Sequence, residues 1–313
     1  MYKIESKNYY VVDENGNELR CFLRGKFQKE YNFKKDKLFT LDIAAVGDIV
    51  DFEINDSHTG VINHIYERKN YISRKAPRIK GASTRGERLE QIIAANIDQL
   101  VIITSVKLPL FNNKALDRLI VIGESSHVDI KIVINKVDLA DNNEVNKWFS
   151  LYKSIGYNVI LTSVVNNVGI TELRKTLNGK INLIWGQSGV GKSSILNKLY
   201  PFLNFKVGKI SDYTYKGKHT TVTSVIRKVE QNTFVIDTPG VREIDPYGIK
   251  KEDLGHYFVE FLPYINECKF NTCTHNHEPG CAVYEAVNKN LITKERYESY
   301  LNLLDTIEED LFY

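Results

Sequence analysis

Residues 186–193 read Gly-Gln-Ser-Gly-Val-Gly-Lys-Ser, the spacing of a phosphate-binding loop. Gly186, Gly189 and Gly191 let the backbone curl until several N–H groups point at one cluster of phosphate oxygens, and the helix that follows adds its positive dipole end. Lys192 reaches the β and γ phosphates, and Ser193 offers its hydroxyl to Mg²⁺, a hard ion that prefers oxygen ligands. Gln187, Ser188, Val190 and Ser194 complete the candidate GTP-binding stretch. The apolar run Ile181 to Trp185 before the loop and the helix formers Ser194 to Leu199 after it supply the strand and helix that such a loop needs.

Asp237-Thr238-Pro239-Gly240 ends the alternating run Asn232 to Ile236. Asp237 suits a Mg²⁺ role, direct or through water, and Gly240 can bring its N–H to the γ-phosphate because no side chain stands in the way. Gly217-Lys218-His219-Thr220-Thr221 lies in a polar stretch before the run Val222 to Glu230, where a first switch belongs; Thr220 or Thr221 completes the Mg²⁺ shell, with Thr221 preferred. Asn135-Lys136-Val137-Asp138 is the base reader: Asp138 can accept from both N1–H and the exocyclic amine of guanine. Adenine offers no such pair of donors and would leave a desolvated carboxylate unpaired, so GTP is favoured over ATP. Asn135 either bonds the other edge of the base or braces the loop, the stem of Lys136 covers the ring face, and Thr162-Ser163 is the expected place for a backbone N–H to the guanine O6.

A chain of average composition and this length contains the phosphate-loop pattern by chance about once in a hundred, so its coincidence with the other two motifs is not accidental. Their order is permuted. Small GTPases run phosphate loop, Asp-x-x-Gly, Asn-Lys-x-Asp, whereas here the third element precedes the other two, and the chain looks like a circularly permuted GTPase. Hydrolysis needs an in-line water, charge neutralisation by Mg²⁺ and Lys192, and a group to orient the water. Val241 stands after Gly240, where Ras-like proteins use Gln, and a valine cannot hold water by hydrogen bonding. His219 is the candidate instead, since an imidazole can orient water or accept its proton near neutral pH. The candidate catalytic set is therefore His219, Lys192 and Thr221.

Three of the four cysteines fall between Cys268 and Cys281 in the spacing Cys268-x4-Cys273-x-His275-x5-Cys281. Three thiolates and one imidazole make a closed tetrahedral zinc site, structural because no position is left for water. His277 is a substitute ligand or a surface residue, and Cys21 reads as a buried small hydrophobe. The net charge is only +3, but between Arg68 and Arg88 eight Lys or Arg face one acid, while Glu298 to Tyr313 carries five acids and no Lys or Arg. A basic segment beside an acidic tail suits either a polyanionic partner or a solvated linker. No apolar run approaches a membrane span, and Met1-Tyr2-Lys3-Ile4-Glu5 does not begin a signal peptide, which leads us to expect a cytoplasmic protein with no membrane contact.

The elements that must position these residues fall into three parts. Short alternating runs with Gly and Asn turns predict a small β-barrel of the oligonucleotide-binding type over 1–74. Alternating strands and helices over 75–245 predict a doubly wound α/β domain, with ligand loops at the carboxyl ends of parallel strands. Residues 246–313 carry the zinc spacing, followed by helices over Ala282 to Asn288 and Thr293 to Leu304.

These residues together resemble the RsgA (YjeQ) family of bacterial GTPases of small ribosomal subunit maturation. The resemblance spans nearly the whole chain, from Gln91-x-x-Ala94-Ala95-Asn96-Ile97-Asp98 through the permuted motifs to the Cys3His knuckle. It implies three domains that dock on the 30S subunit and its 16S rRNA, with GTP hydrolysis to GDP stimulated by the subunit and linked to release. It also points to His219 as the water-orienting group. A monomer is the default expectation. Two other functions fit the same residues: an RNA-binding scaffold in which GTP is a slow conformational ligand, and a GTPase acting on tRNA or membrane-bound partners.

Overall fold

The computed structural model describes residues 1–5, 8–27, 43–76, 90–204, 224–238 and 245–307. The amino-terminal part holds β1 (Lys3–Glu5), β2 (Asn8–Val12), β3 (Glu18–Leu23), β4 (Val50–Ile54) and β5 (Thr59–Ile65). Strict alternation along β3 buries Leu19, Cys21 and Leu23, which pack with Val11, Ala44 and Ile62 into a core of their own. An ion pair closes the base of this unit, where Arg68 Nε meets Asp48 Oδ1 at 2.7 Å. The segment that follows is not part of that sheet: β6 (Tyr71–Lys75) pairs antiparallel with β7 (Glu90–Ala95) as a separate two-stranded ribbon.

The doubly wound part continues with β8 (Gln99–Ser105), α1 (Asn113–Ser125), β9 (Asp129–Asn135), α2 (Asn142–Ser154), β10 (Asn158–Thr162), α3 (Ile170–Leu177), β11 (Ile181–Trp185), α4 (Lys192–Leu199), β12 (Val225–Glu230) and β13 (Thr233–Asp237). All seven residues of β8 are buried, as expected of a central strand covered by helices on both faces. Helix starts are fixed locally. Asn112 accepts the Ala115 N–H at 3.1 Å to cap α1, and Asp141 accepts the Glu144 N–H at 2.9 Å to cap α2.

Strands run in the order β10-β9-β8-β11-β13 in parallel, with β12 antiparallel beside β13. The sheet does not stop there, because β12 pairs with β1 through Lys3↔Val225 and joins the amino-terminal strands in the order β1-β2-β3-β5-β4. Register brings Ser105, Asn135 and Thr162 level with one another, and β11 and β13 end beside them, so their loops share one edge. One face packs Leu100, Ile102, Ile132 and Trp185 against α1 and α2, and the other packs Val101, Ile103, Ile184 and Val235 against α3 and α4.

Short 3-10 turns at Leu254–Tyr257 and Val259–Phe261 and a helical turn at Leu262–Ile265 lead to the cysteine loop, then to α5 (Ala282–Asn288) and α6 (Lys294–Leu304). Their core of Phe258, Phe261, Tyr300 and Leu303 takes in Val121 from α1. A buried ion triad reinforces the junction: Arg296 of α6 meets Asp117 of α1 at 2.5 Å and Glu260 at 2.5 Å. Burial alone would lower the pKa of Arg296, and the two carboxylates more than reverse it, so the guanidinium stays charged. Among the described residues no helix is long and apolar enough to cross a membrane.

Candidate nucleotide site and metal centre

The phosphate loop leaves β11 at Gly186 and enters α4 at Lys192. Two of its glycines are forced by space as well as by backbone. Gly186 has φ +156 and a Cβ there would stand 2.1 Å from the Ile103 carbonyl; Gly191 has φ +100 and its Cβ would stand 2.3 Å from Asn135 Nδ2. Within the loop, Lys192 Nζ donates to the carbonyls of Gly186 at 2.7 Å and Gln187 at 2.9 Å. A lysine ammonium has three protons, so two hold the side chain beneath the loop and the third is available to a phosphate. Gln187 is half-buried, Ser188 and Gly189 are exposed, Val190 is buried, and Ser193 and Ser194 are half-buried at the start of α4.

Lys192 and Asp237 face the same problem. Burial lowers the pKa of Lys192 and raises that of Asp237, each shift opposed by the other's charge. Each therefore gains from a further counter-charge: an anion for Lys192 and a cation for Asp237. Next to Asp237, Thr238 is buried and donates its hydroxyl to the Ile184 carbonyl at 3.2 Å, which pins the end of β13 to β11.

Asn135, expected to read the base or brace the loop, braces it: its Nδ2 donates to the Val190 carbonyl at 2.8 Å while its Oδ1 accepts from the Thr162 hydroxyl at 3.0 Å. Lys136, in the left-handed region at φ 61, adds a second strut. Its Nζ donates to the Gly189 carbonyl at 2.7 Å and to the Leu108 carbonyl, and burial lowers its pKa. The Ser163 hydroxyl donates to Asp138 Oδ1 at 2.5 Å, which aims the carboxylate. The Ser163 N–H is itself taken by the Val168 carbonyl at 3.1 Å. The hydroxyl bond to Asp138 and the Leu108 strut are contacts that motif reading does not supply, since they depend on the register of β8, β9 and β10. His219, Thr220, Thr221, Gly240 and Val241 lie outside the described residues.

The second centre is the carboxyl-terminal loop. The ligating atoms of Cys268, Cys273, His275 and Cys281 lie within 4.8 Å of one another. His275 Nδ1 is 3.5 Å from both Cys268 Sγ and Cys281 Sγ, and those two sulfurs are 4.0 Å apart. Tetrahedral zinc–ligand bond lengths require about 3.5 Å between nitrogen and sulfur and about 3.8 Å between two sulfurs, so the cluster has the dimensions of one ion. All the cysteines, Cys21 included, are free thiols.

Burial pushes the Cys273 thiol up to about 12, raises that of Cys281, and lowers the pKa of His275. A neutral imidazole beside sulfurs that give up protons only to a cation is the donor set of a divalent metal. The loop around it is braced. The Tyr297 hydroxyl donates to the His275 carbonyl at 2.7 Å, and Tyr300 to the Thr274 carbonyl at 2.6 Å. The Glu278 carboxylate accepts from the Thr274 N–H and hydroxyl and from the N–H groups of Asn276 and His277. Burial opposes ionisation of Glu278, but these bonds prevail and hold its pKa at about 2. A Cβ at Gly255 would stand 2.8 Å from the His275 ring, so only glycine leaves the imidazole its place.

A braced phosphate loop, the Asn135-Lys136-Val137-Asp138 motif at the end of a neighbouring strand and a permuted chain order define the class: a circularly permuted GTPase with a barrel-like amino-terminal part and a Cys3His module. A family profile described as RsgA GTPase matches residues 65–247. The chain belongs to the RsgA GTPase family, whose members hydrolyse GTP. A relative from Chlorobaculum parvum, named small ribosomal subunit biogenesis GTPase RsgA, is 42% identical over 311 residues, covering 98% of this chain and 97% of its own length. One of the same name from Phocaeicola vulgatus is 38% identical over 304 residues, covering 96% and 94%. The crystal structure of YjeQ from Thermotoga maritima superposes with a TM-score of 0.74 at 32% identity, covering 97% of this chain and 95% of that one. YloQ, described as a circularly permuted GTPase, gives 0.68 at 27% identity, covering 97% and 92%.

Proposed function

We propose that this protein binds the 30S ribosomal subunit through 16S rRNA, assists its late maturation, and hydrolyses GTP to GDP and phosphate under stimulation by the subunit. The observation that carries the reading is the Lys192 and Asn135 bracing of the phosphate loop, in a chain similar over nearly its whole length to proteins named for small-subunit biogenesis. The reading takes residues 1–74 as an RNA-binding barrel, 75–245 as the GTPase domain and 246–313 as the zinc domain. The separate cores around Ile62, around Ile102 and Ile184, and around Phe258 support that division.

Loop N–H groups from 186–194 and the third proton of Lys192 hold the phosphates, while Asp138, aimed by Ser163, selects guanine. Mg²⁺, held by Ser193, Thr221 and Asp237, would neutralise charge between the β and γ phosphates. Gly240 contacts the γ-phosphate and His219 orients the attacking water, a group that subunit binding brings into place. One zinc ion, on Cys268, Cys273, His275 and Cys281, is structural because its four protein ligands close the shell. We further take the protein to be a cytoplasmic monomer.

The test is GTP turnover by the protein alone, with 30S and with 50S subunits, using Lys192→Ala to exclude contaminants. Strong stimulation by 30S only is expected, and His219→Ala should abolish most of it without weakening GTP binding. No stimulation with tight nucleotide binding retained would refute the subunit-activated reading.

A further inference from the structure

Glu278 lies midway between His275 and Cys281 and is not one of the four grouped ligands. Its carboxylate faces the chain instead. Oε1 accepts from the Thr274 N–H at 2.7 Å and from the Thr274 hydroxyl at 2.5 Å, and Oε2 accepts from the N–H groups of Asn276 at 3.1 Å and His277 at 3.2 Å. Thr274, Asn276 and His277 are thus gathered on one side chain. His275, in the midst of them, is left to face the cysteines, with Nδ1 3.5 Å from Cys268 Sγ and from Cys281 Sγ.

Such a turn needs a clamp. His275 has φ 54, a left-handed backbone that a residue with a side chain adopts only when its surroundings hold it there. The stretch after Cys273 also offers two imidazoles, and the sequence alone does not say which of them binds. In the structure the choice is made. His275 is buried beside the sulfurs, while His277 is exposed, its N–H held by Glu278 Oε2. The other supports of His275 act elsewhere: Tyr297 holds its carbonyl at 2.7 Å, and Gly255 leaves room for its ring.

We propose that Glu278 is a positioning residue for the metal centre: by gathering Thr274, Asn276 and His277 it shapes the turn that makes His275 the fourth ligand and keeps His277 out. The inference rests on the reading of the Cys3His cluster as the zinc site. Partners that orient metal ligands typically contribute about ten- to a hundredfold to metal affinity. Both carboxylate oxygens are used, which an amide cannot match: glutamine keeps one acceptor and sets an NH2 against the N–H groups that the other oxygen served.

The experiment loads the full chain with Co²⁺, whose visible absorption reports the sulfur and nitrogen ligands, and reads zinc affinity from displacement of the cobalt at fixed pH in a reductant. Wild type and His277→Ala are expected to give the same spectrum and the same zinc affinity. Glu278→Ala should bind zinc about ten- to a hundredfold more weakly. His277 becomes a ligand there, so His277→Ala, silent alone, costs about a further tenfold in that background. The pair is repeated with Glu278→Gln, which keeps the side-chain volume and one acceptor; its loss should be smaller and follow the same pattern, with the far-UV circular dichroism of the wild type at saturating zinc. A loss below about threefold in Glu278→Ala, or a His277→Ala effect that is equal in both backgrounds, would overturn the proposal. His275→Ala separates the two levels, since it should remove the nitrogen ligand from the cobalt spectrum. If that spectrum is unchanged, the assignment of His275 to the metal fails, and the positioning role with it.

Discussion

Asp138→Asn tests whether a base reader placed upstream of the phosphate loop still selects guanine. The structure fixes what the substitution changes. Ser163 already occupies Oδ1 at 2.5 Å and continues to donate to the amide oxygen of asparagine, so the side chain keeps its aim. On the proposed reading, what is lost is the acceptor set for the base: a charged carboxylate that would take N1–H and the exocyclic amine becomes an amide with an NH2 pointed at a donor. A hydrogen bond to a charged group contributes about 1.5–3 kcal/mol, so losing two of them costs about 3–6 kcal/mol, or roughly 10²–10⁴ in GTP affinity. Xanthine carries a carbonyl where guanine carries the amine and should recover most of that loss. Displacement of a fluorescent GDP analogue by GTP and by XTP reads both, with the thermal midpoint as a control for folding. A loss of GTP affinity below fivefold, or no gain for XTP, would refute the assignment of Asp138.

Other substitutions probe the frame. Arg296→Met leaves Asp117 and Glu260 buried without their cation, which costs about 3–5 kcal/mol and should lower the midpoint of thermal unfolding by about 10 °C; adding Asp117→Asn should return part of it in a calorimetric scan. Gly191→Ala places a Cβ against Asn135 Nδ2 at φ +100, so GDP affinity should fall about ten- to a hundredfold while far-UV circular dichroism stays unchanged. One equivalent of zinc should be released by a thiol reagent, and Cys281→Ser should release it and unfold α5 and α6, since binding of a structural zinc contributes about 10 kcal/mol or more to folding. Nucleotide binding should survive that variant, because the phosphate loop belongs to a different core.

Residues 181–199, 135–138 and 268–281 were legible in the sequence because each is a local pattern whose chemistry dictates its spacing. The fully buried β8, with its run Leu100 to Ile103, and the helices α1 and α2 belong to the alternating strand and helix pattern read over 75–245. Cys21 is the buried hydrophobe that its alternating strand implies. Three features depend on pairings that no local motif marks. The three residues of β1 form a strand through Tyr10, Tyr9 and Asn8 of β2 and through Val225 of β12. The ribbon of β6 and β7 takes in the start of the basic stretch, which the sequence leaves open between a polyanion contact and a solvated linker. Arg296 and Asp117 stand 179 residues apart, and each alone reads as a surface charge on a helix.

The permuted order has a mechanical consequence that follows from where the two added parts attach. The amino-terminal barrel joins the nucleotide sheet at β12, the strand that follows the candidate first switch, while the zinc module leaves the chain after β13 and the segment bearing Gly240. Both additions therefore attach at β12 and after β13, on the opposite side of β11 from β9 and β10. The attachments are built differently. The amino-terminal unit is held by hydrogen bonds: the pairing Lys3↔Val225, the Ile226 N–H to the Tyr2 carbonyl at 2.9 Å, the Ala95 N–H to the Val46 carbonyl at 2.8 Å, and the Asn70 and Asn96 side chains, which bond Ile97 and the Gly47 carbonyl. The carboxyl-terminal module instead shares with α1 the buried Val121, an ion triad and the Arg118 fork to Asp245 and Thr306. A junction with buried charges yields only as a unit, since separating them exposes unpaired partners in an apolar setting.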